Sequence, residues 1–589
     1  MDLLVNIFEH VRKIIIQVAI TKGIRDDTIL NKITAEPPKD EKHGDISTNI
    51  ALLGSKILNM NPRELAENVG LLLQKNNYID EVNIAGPGFI NLTLNKSIFY
   101  ECCKNVLDFK EKYGSSSYGK SHKVNIEYVS ANPTGPMHIG HARGAVFGDS
   151  LANLLQYVGY NVTREYYIND SGQQIVNLAK SVYLRYKEIF SSKQALFEDD
   201  LYPGEYLIPV AKKIIEQYGD KFINSDEKDW LAIFKDCATH EMMEIIKEDL
   251  SSVNIHHDNF VSEEFLKSRG LIDEVVKLLN EKDVIYKGIL DAPKGQQNEN
   301  WESRPQLLFK STLYGDDLDR PLKKADDTWT YFAADAAYHY DKYKRKYSSI
   351  INVWGADHGG YIKRIEGIIK SISESQLTFD VKLCQLVNLN KDGKPVKMSK
   401  RAGNFITMKS VINSVGADVL RFIMLTRKND APLDFDMLKV KEQSKDNPVY
   451  YVQYANIRIN SLYKKAINIG IDLNSDLEDI NFSLLKEPSE LNLIKIISKW
   501  PRQVELAAIA NEPHRITFYL NDLASAFHYS WSLGNTKSEL RYFVEGDINL
   551  TLARLSLAKV VKIILFSGLS IIGVKSVEGL PIEQRKNNV

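Results

Sequence analysis

Two histidines three residues apart stand in a stretch rich in glycine and proline, NPTGPMHIGHARGA. His138 and His141 fall on the predicted first turn of a helix, so both rings can point the same way. Backbone N–H groups and the helix dipole at such a position favour an anion, typically a phosphate. Gly140 leaves room for a ligand against the backbone. The alternative is a helix start whose histidines only cap neighbouring groups or face water.

A second group of cations lies far downstream, in KDGKPVKMSKRAGNFITM. Lys397, Lys400 and Arg401 crowd a loop between a predicted turn and a helix that Thr407 can cap. Several cations on one loop suit a transferring phosphoryl group, whose charge must be met without covalent chemistry. The alternative is a solvated basic loop. We expect no second nucleotide site with the GxxxxGK[ST] pattern.

The elements that must position these residues alternate between strands and helices. Strands at 124–129 and 161–168, with helices from about 138 and about 173, form a βαβα series that predicts a parallel sheet. A mostly helical insertion is expected from about 190 to 300, followed by the strand patterns QLLFKSTLYG, SSIINVWG and LCQLVNLN. From about residue 430 onward only helical periodicities are found.

Composition places the chain among soluble multidomain proteins. Its 589 residues exceed one hydrophobic core, and 44% hydrophobic with 26% charged residues is an ordinary globular balance. We find no membrane-spanning run and no N-terminal export signal, so a cytoplasmic location without membrane contact is expected. The four cysteines lack zinc-ligand spacing, so neither zinc nor another metal site is predicted. The net charge of −1 does not by itself indicate a nucleic-acid partner.

HIGH at 138–141 and KMSKR at 397–401 resemble the two signatures of class I aminoacyl-tRNA synthetases. The wider sequence resembles the arginyl-tRNA synthetase family over nearly the whole chain. The segments that carry this resemblance, in chain order, are GPGFINLTL, EYVSANPTGPMHIGHARGA, REYYINDSGQQI, YPGEYL, WTYFAADAAYHYDKYKR, WGADHGGY, KMSKRAGNFITMKSVINSVGADVLRF, YVQYANIRI and RLSLAKVVKIILFSGLSIIGV. One departure is Leu580, where the family often has methionine, and it leaves one tRNA contact in doubt.

The resemblance implies a multidomain α/β protein in three parts. Residues 1–115 would form an additional α+β domain that touches the tRNA elbow, and 116–430 a Rossmann-like parallel-sheet catalytic domain of the HIGH/KMSKS type, with the helical insertion inside it. Residues 431–589 would form an all-α anticodon-binding bundle. A monomer is expected, with tRNA(Arg), L-arginine and ATP as partners.

The resemblance also implies the chemistry: Mg²⁺-ATP activates arginine as an adenylate, and the acyl group then passes to the 2′-hydroxyl of the terminal tRNA adenosine. The catalytic residues would be His138, His141, Lys397 and Lys400. The residues expected to bind ATP are Pro136, His138, Gly140, His141, Gly355, Asp357, His358, Lys397, Met398, Ser399 and Lys400.

A cationic substrate needs carboxylates in its pocket. Glu127 ends the strand before the HIGH loop, and Tyr331 and Asp335 lie four apart on one face of a helix that Thr330 can cap. By the resemblance these three bind arginine, together with Asn132. Without the resemblance, Tyr331 and Asp335 would be interpreted as an ordinary pair of residues on the surface of a helix.

An N-terminal strand pattern supplies the predicted tRNA contacts, Phe89 and Asn91, which could stack on and hydrogen-bond a loop base. An ordinary core phenylalanine is the alternative. For the whole chain the alternatives are another class I synthetase, a HIGH-type nucleotidyltransferase, and an inactive relative that binds tRNA or a protein.

Overall fold

The computed structural model describes residues 6–38, 40–191, 195–290, 305–324, 326–391, 394–395, 406–442, 444, 447–473, 477 and 480–577. The N-terminal part is an antiparallel sheet covered by helices, whose third strand is central. Apolar residues at helical spacing and asparagine caps start its helices. Its elements are α1 (Ile7–Thr21), α2 (Asp27–Leu30), β1 (Ile46–Thr48), α3 (Ile50–Leu58), α4 (Pro62–Leu73), β2 (Ile79–Ala85), β3 (Phe89–Leu94) and α5 (Lys96–Phe109).

The central part carries the parallel sheet and the elements inserted into it. In chain order its elements are β4 (Lys123–Glu127), α6 (Ile139–Tyr157), β5 (Asn161–Ile168), α7 (Gln173–Ser191), α8 (Ile208–Tyr218), α9 (Glu227–Ser251), β6 (Asn259–Ser262), α10 (Glu263–Ser268), α11 (Leu271–Glu281), β7 (Ile285–Gly288), β8 (Gln306–Phe309), β9 (Arg320–Pro321), α12 (Tyr331–Lys344), β10 (Ser349–Gly355), α13 (Ile362–Ser373), β11 (Thr378–Cys384), β12 (Val387–Lys391), β13 (Lys394–Pro395), α14 (Met408–Val415), α15 (Ala417–Met424) and β14 (Leu433–Asp436).

The five-stranded parallel sheet has the order β11-β10-β4-β5-β6. Its central strands are buried on both faces, as parallel strands are when helices cover them. Helix α6 packs in the core on one face, and α12 and α13 pack in a second core on the other. Glu127 on β4 is in register with Asn352 on β10 and with Glu165 on β5. The predicted parallel-sheet fold class is confirmed, and these three polar residues lie side by side within it.

Several strands differ from the sequence prediction. The fifth strand of the sheet, β6, lies inside the region predicted to be mostly helical. QLLFKSTLYG contributes β8 to a separate antiparallel sheet with β7 and β9, and β12 belongs to another small sheet with β13 and β14. Strand β14 also lies beyond residue 430, where only helices were expected. These strands have two to five residues each, too short for a clear period-2 pattern to emerge from the sequence.

The C-terminal part is a helical bundle, as predicted. Its core includes the fully buried Trp500, whose Nε1 donates to the carbonyl oxygen of Tyr113 at 3.0 Å. One continuous apolar core joins the N-terminal part, α6 and this bundle, so the boundaries near residues 115 and 430 stay predictions. None of the described helices combines the length and apolarity of a membrane span. The helices of the bundle are α16 (Pro448–Asn468), α17 (Pro488–Ser498), α18 (Trp500–Ala510), α19 (His514–Thr536) and α20 (Ile548–Ile571).

Candidate active site

A cavity of about 410 Å³ opens at the carboxyl ends of the parallel strands. This is where open parallel sheets bind their ligands, because neighbouring connections diverge there. The ends of β4 and β10 and the first turns of α12 line it. Six of the predicted site residues meet in this cavity: Glu127, Asn132, Tyr331, Asp335, Gly355 and His358.

Glu127, the last residue of β4, is buried and already has a cation partner. Its Oε2 lies 2.8 Å from Nζ of Lys342, whose side chain is fully buried. Its Oε1 accepts a hydrogen bond from Oγ of Ser130 at 3.1 Å. The structure therefore places Glu127 at the cavity, as predicted, but with its charge opposed from within the protein.

Asp335 lies one turn into α12, and its carboxylate has no cation partner among the described residues. Thr330 caps this helix, as predicted, by accepting from the backbone N–H of Ala333 at 3.3 Å. Burial, together with repulsion from Glu127 and Glu263, raises the pKa of Asp335 to about 8, against a smaller opposing effect of Lys267. An incoming cation would relieve this desolvation and repulsion, so the position is suited to binding a positively charged group.

The other two predicted amino-acid-binding residues lie at the edge of the cavity. Tyr331 is 65% exposed at the start of α12, so its hydroxyl is accessible to a ligand. Asn132 donates from Nδ2 to Oε1 of Gln174 at 2.7 Å. Both positions are compatible with contacts to a small polar ligand.

The two histidines of the HIGH segment stack on each other, with ring centroids 3.8 Å apart. His138 is the N-cap of α6: its Nδ1 accepts from the backbone N–H of Gly140 at 3.1 Å. Nδ1 of His141 accepts in turn from the backbone N–H of His138 at 3.3 Å. In a neutral imidazole the proton is then on Nε2, an atom able to donate to a phosphate oxygen. The capping role and the predicted phosphate role are therefore compatible. Pro136 lies partly buried in the loop that leads into them.

The KMSKR segment, with Lys397, Met398, Ser399 and Lys400, lies outside the described residues. The chain on either side of it is described. Asn390 and Lys391 of β12 pair antiparallel with Pro395 and Lys394 of β13, and Thr407 caps α14 by accepting from the backbone N–H of Ser410 at 3.1 Å, as predicted.

The chain that follows the KMSKR segment pairs directly with the HIGH loop. The backbone N–H of Met408 donates to the carbonyl oxygen of Met137 at 2.8 Å, and Thr407 forms a β-bridge with His138. The chain that leaves the undescribed segment therefore lies against the HIGH loop.

WGADHGGY follows β10 as predicted, and Gly355 is the last residue of that strand. A Cβ at Gly355 would lie 2.4 Å from Oδ1 of Asp357, so a larger residue there would require the exposed Asp357 side chain to move. Asp357 and His358 are exposed, with 3.4 Å between Oδ2 and Nε2. His358 lines the cavity, whereas Asp357 is not among its lining residues.

The two predicted tRNA-contact residues differ in exposure. Phe89 is 43% exposed at the start of β3, which makes the alternative of an ordinary core phenylalanine wrong. Asn91 is only 5% exposed, within the central strand of the sheet. A stacking contact from Phe89 is sterically open, whereas a contact from Asn91 would require a rearrangement of the strand.

Sequence reasoning missed several further ionisable residues in and around the cavity, among them Glu263 and Lys342. Glu263 lines the cavity, and its Oε1 lies 2.5 Å from Nζ of Lys267. Lys342, the partner of Glu127, is seven residues after Asp335 on the same helix and therefore on the same face. That spacing was a usable signal for Lys342, whereas the position of Glu263 depends on the unpredicted β6.

The expectation of no further GxxxxGK[ST] stretch was wrong, because GSSSYGKS at 114–121 fits that pattern. It precedes a strand rather than a helix, and its backbone N–H groups are already used. Those of Gly119, Lys120 and Ser121 donate to carbonyl oxygens at 2.8–3.0 Å. The stretch therefore lacks the outward N–H groups of a phosphate-binding loop.

The described residues contain no group of three or more His, Cys, Asp or Glu side chains arranged for a metal ion. Within the same residues, Cys102, Cys103 and Cys384 are buried free thiols, and burial raises the pKa of Cys102 and Cys384 to about 12. These thiols are not poised as nucleophiles.

Comparison with known proteins agrees with this arrangement. Residues 103–468 match the family model for the catalytic domain of class I tRNA synthetases (R), residues 6–94 the arginyl-tRNA synthetase N-terminal domain, and residues 452–580 the DALR anticodon-binding domain. An arginine–tRNA ligase of Parvibaculum lavamentivorans is 49% identical over 93% of this chain and 94% of its own. One of Roseobacter denitrificans is 48% identical over 97% and 99%.

Comparison with solved structures identifies arginyl-tRNA synthetases with the same fold. The solved structure of Thermus thermophilus arginyl-tRNA synthetase superposes with a TM-score of 0.71, at 17% identity, over 98% of this chain and all of that one. At that identity the likeness concerns the fold alone, and membership rests on the sequence matches. The chain belongs to the arginyl-tRNA synthetase family of class I tRNA synthetases.

Proposed function

We propose that this chain is an arginine–tRNA ligase, which activates L-arginine with ATP and transfers it to tRNA(Arg) for protein synthesis. Membership of the family supports the reaction as a whole. One structural observation supports the amino acid: the Asp335 carboxylate lines the cavity beside Glu127 and Glu263 without a cation of its own among the described residues. A guanidinium group offers the planar positive charge that such a carboxylate binds best.

In the first step an oxygen of the arginine carboxylate attacks the α-phosphorus of ATP. A bond forms between that carboxylate oxygen and the α-phosphorus, the bond from the α-phosphorus to the oxygen that bridges to the β-phosphate breaks, and pyrophosphate leaves. Mg²⁺ bound to ATP would balance part of the pyrophosphate charge. His138 and His141 donate from Nε2 to phosphate oxygens, and Lys397 and Lys400 meet the charge that develops on pyrophosphate. Around the nucleotide we place Pro136, Gly140, Gly355, Asp357, His358, Met398 and Ser399.

In the second step the 2′-hydroxyl of the terminal tRNA adenosine attacks the arginyl carbonyl carbon. The new ester bond forms, AMP leaves with the electrons of the broken acyl–phosphate bond, and the proton of the 2′-hydroxyl passes to a phosphate oxygen of the departing AMP. The chain contributes position and charge in both steps and forms no covalent bond to the substrate.

The amino acid binds with its guanidinium at Asp335 and the hydroxyl of Tyr331 beside it. Glu127, whose charge is opposed by Lys342, faces the ligand from the opposite wall, and Asn132 receives the α-amino group. Glu127 lies on β4, whereas Tyr331 and Asp335 lie on α12. A ligand that contacts both elements must therefore span the cavity.

For tRNA we propose two contacts, with the exposed Phe89 at the elbow and the helical bundle at the anticodon. The division of the chain near residues 115 and 430, a monomeric state and a cytoplasmic location complete the proposal.

Aminoacylation of total tRNA with each of the twenty amino acids tests the proposed function. We expect arginine alone to yield acid-precipitable aminoacyl-tRNA. Charging with another amino acid would assign the chain to a different specificity. A protein that binds tRNA without activating any amino acid would be the inactive relative considered above.

A further inference from the structure

A buried network of hydrogen bonds beneath the amino-acid cavity connects β4 with α12. Nζ of Lys342 contacts Oε2 of Glu127 at 2.8 Å and donates to Oδ1 of Asn352 at 3.2 Å. Nδ2 of Asn352 lies 3.0 Å from Nε2 of His339, and Nδ1 of His339 donates to the carbonyl oxygen of Asp335 at 2.8 Å. Lys342, Asn352 and His339 are at most 2% exposed. This network therefore links the carboxylate of Glu127 on β4 to the backbone of Asp335 on α12.

The direction of these hydrogen bonds is fixed. A carbonyl oxygen can only accept, so Nδ1 of His339 carries the proton and Nε2 accepts from Asn352. Burial lowers the pKa of His339 to about 3, so the ring is neutral at physiological pH. The amide of Asn352 then presents its oxygen to Lys342. Each member has a defined partner on each side, which favours one arrangement of Glu127 relative to the backbone of Asp335.

The same residues set the charge of the cavity. Three carboxylates face it, those of Glu127, Glu263 and Asp335. Lys342 lies against the first, and Lys267 lies 2.5 Å from the second. When all three carboxylates are ionised, as when a cation is bound, two cations against three anions leave one negative charge, located at Asp335. An amino acid whose α-amino and α-carboxylate charges cancel, and whose side chain is singly positive, completes the balance.

Lys342 itself does not line the cavity, and its side chain is fully buried. It cannot contact a substrate there, so any effect of it on specificity acts through Glu127. The other two neighbours of the Lys342 ammonium are Glu165 and Tyr338, which are also buried. Oε1 of Glu165 is 3.9 Å away and accepts from Tyr338 and Arg345, and the Tyr338 ring lies 4.3 Å from Nζ.

We infer that Lys342 is a positioning residue that acts as a built-in counter-ion for Glu127 and thereby restricts the amino-acid cavity to one substrate cation, held at Asp335. This inference rests on the proposed function, because it takes arginine as the substrate. The ionisable groups that face Glu127 are Lys342, Tyr338 and Asp335 from α12, Glu165 and Tyr167 from β5, and Glu263 from α10.

Isothermal titration of the full chain with L-arginine, in buffers of different ionisation enthalpy, counts the protons released on binding. In the wild type, at a pH one unit below the Asp335 pKa, we expect close to one proton from Asp335. Lys342→Met leaves Glu127 buried without its cation, so we expect Glu127 to be protonated in the free variant. The bound substrate cation favours the ionised form of Glu127, so the number of protons released on binding rises by up to one. Lys342→Met combined with Glu127→Gln returns it to the wild-type value. Lys344→Met, on the same helix with a 45% exposed side chain, is the matched control and keeps the wild-type count.

Affinity provides a second test that does not need the single lysine variant to fold. Glu127→Gln leaves the Lys342 ammonium uncompensated, and arginine affinity should fall by tenfold or more. Adding Lys342→Met to Glu127→Gln should recover a large part of that loss, because the cavity regains its single negative charge. L-citrulline is the neutral isostere of arginine. Its affinity should neither fall tenfold in Glu127→Gln nor recover when Lys342→Met is added.

The inference is overturned if Lys342→Met leaves the proton count unchanged, or if adding it to Glu127→Gln weakens arginine binding further. Either result would give Lys342 a packing role only. These results differ from failure of the proposed function, in which the wild-type protein itself would not bind arginine.

Discussion

The backbone N–H of Met408 donates to the carbonyl oxygen of Met137 at a distance of 2.8 Å. This bond joins the residue before the HIGH histidines to the first residue of α14, three positions after the end of the undescribed segment that contains KMSKR. Asp249, on α9, holds the same loop by accepting from the backbone N–H of Met137 at 3.0 Å. The HIGH loop is therefore joined by a backbone hydrogen bond to the chain that follows the undescribed segment, although 255 residues of sequence separate His141 from Lys397, by 397 − 141 − 1.

Replacing Lys400 by alanine should reduce kcat far more than it raises the KM for arginine. The charge that Lys400 is proposed to meet develops as pyrophosphate leaves, so the contact is stronger in the transition state than in the ground state. Loss of one such contact costs on the order of 3 kcal/mol, or about a hundredfold. Pre-steady-state measurement of adenylate formation checks this.

Lys409→Ala is the matched control for that change, because Lys409 is the first lysine after the motif and is exposed. It should leave kcat near the wild-type value. If Lys400→Ala turned over as fast as this control, the KMSKR loop would be only a solvated basic surface.

The HIGH histidines allow stability and catalysis to be separated at one position. His138→Asn keeps an N-cap acceptor for the backbone N–H of Gly140, because asparagine is among the best N-cap residues, but it removes Nε2. His138→Ala removes both functions. We expect both variants to lose kcat, and only the alanine variant to lose about 0.5–2 kcal/mol of stability.

Thermal unfolding and steady-state kinetics of the two variants test this separation. Full activity of His138→Asn would show that the histidine serves the helix start alone. Equal destabilisation of both variants would mean that the cap geometry seen at α6 does not support the helix.

The sequence predicts the elements that carry the HIGH loop because their patterns are long and regular. Strand β5 and helices α6 and α7 lie within about two residues of their predicted bounds. Strands β6 and β14 were missed, because four residues beside helical segments give no period. Tertiary partnerships were also out of reach: helical spacing places Lys342 on the same face of α12 as Asp335, but it does not show that Lys342 contacts Glu127 on β4. That ion pair depends on how α12 packs across β4 and β10.

Ionisation of Asp335 should make the ligand-free protein less stable as the pH rises. Its folded-state pKa of about 8 lies above the ordinary 3.8, so the folded protein holds the proton more tightly than the unfolded chain does. Its stabilising contribution is therefore complete below about pH 4 and is lost as the pH rises towards 8. Asp335→Asn should unfold at a higher temperature than the wild type at pH 8.5, and the difference should shrink at pH 5.5.

Arginine should reverse the order of stability at pH 8.5, because it binds the ionised wild type and not the variant. Thermal unfolding with and without saturating arginine gives both comparisons. A wild type as stable as Asp335→Asn at pH 8.5 without ligand would mean that the Asp335 carboxylate is not desolvated.

Exchange of pyrophosphate into ATP with arginine should require cognate tRNA. The end of the helical bundle contacts the HIGH helix: Nδ2 of Asn153 donates to the carbonyl oxygen of Ile571 at 3.1 Å, and Arg421 contacts both Asp149 and the carbonyl oxygen of Ile572. A bundle that binds tRNA can thus influence the position of α6. Robust exchange in tRNA-free protein would contradict the prediction, and a salt titration of tRNA binding should show a steep loss of affinity.

Steady-state kinetics of Asp335→Asn with arginine test the central claim most directly. The substitution keeps size and one acceptor but removes the charge that faces the substrate guanidinium. Loss of a buried counter-charge costs roughly 2–5 kcal/mol, so kcat/KM for arginine should fall by about thirtyfold to several thousandfold, while the KM for ATP changes little. Asp327→Asn, with a side chain 93% exposed just before α12, is the matched control and should change kcat/KM by less than about twofold. A fall of less than about threefold in Asp335→Asn would contradict the claim that this carboxylate binds the substrate cation.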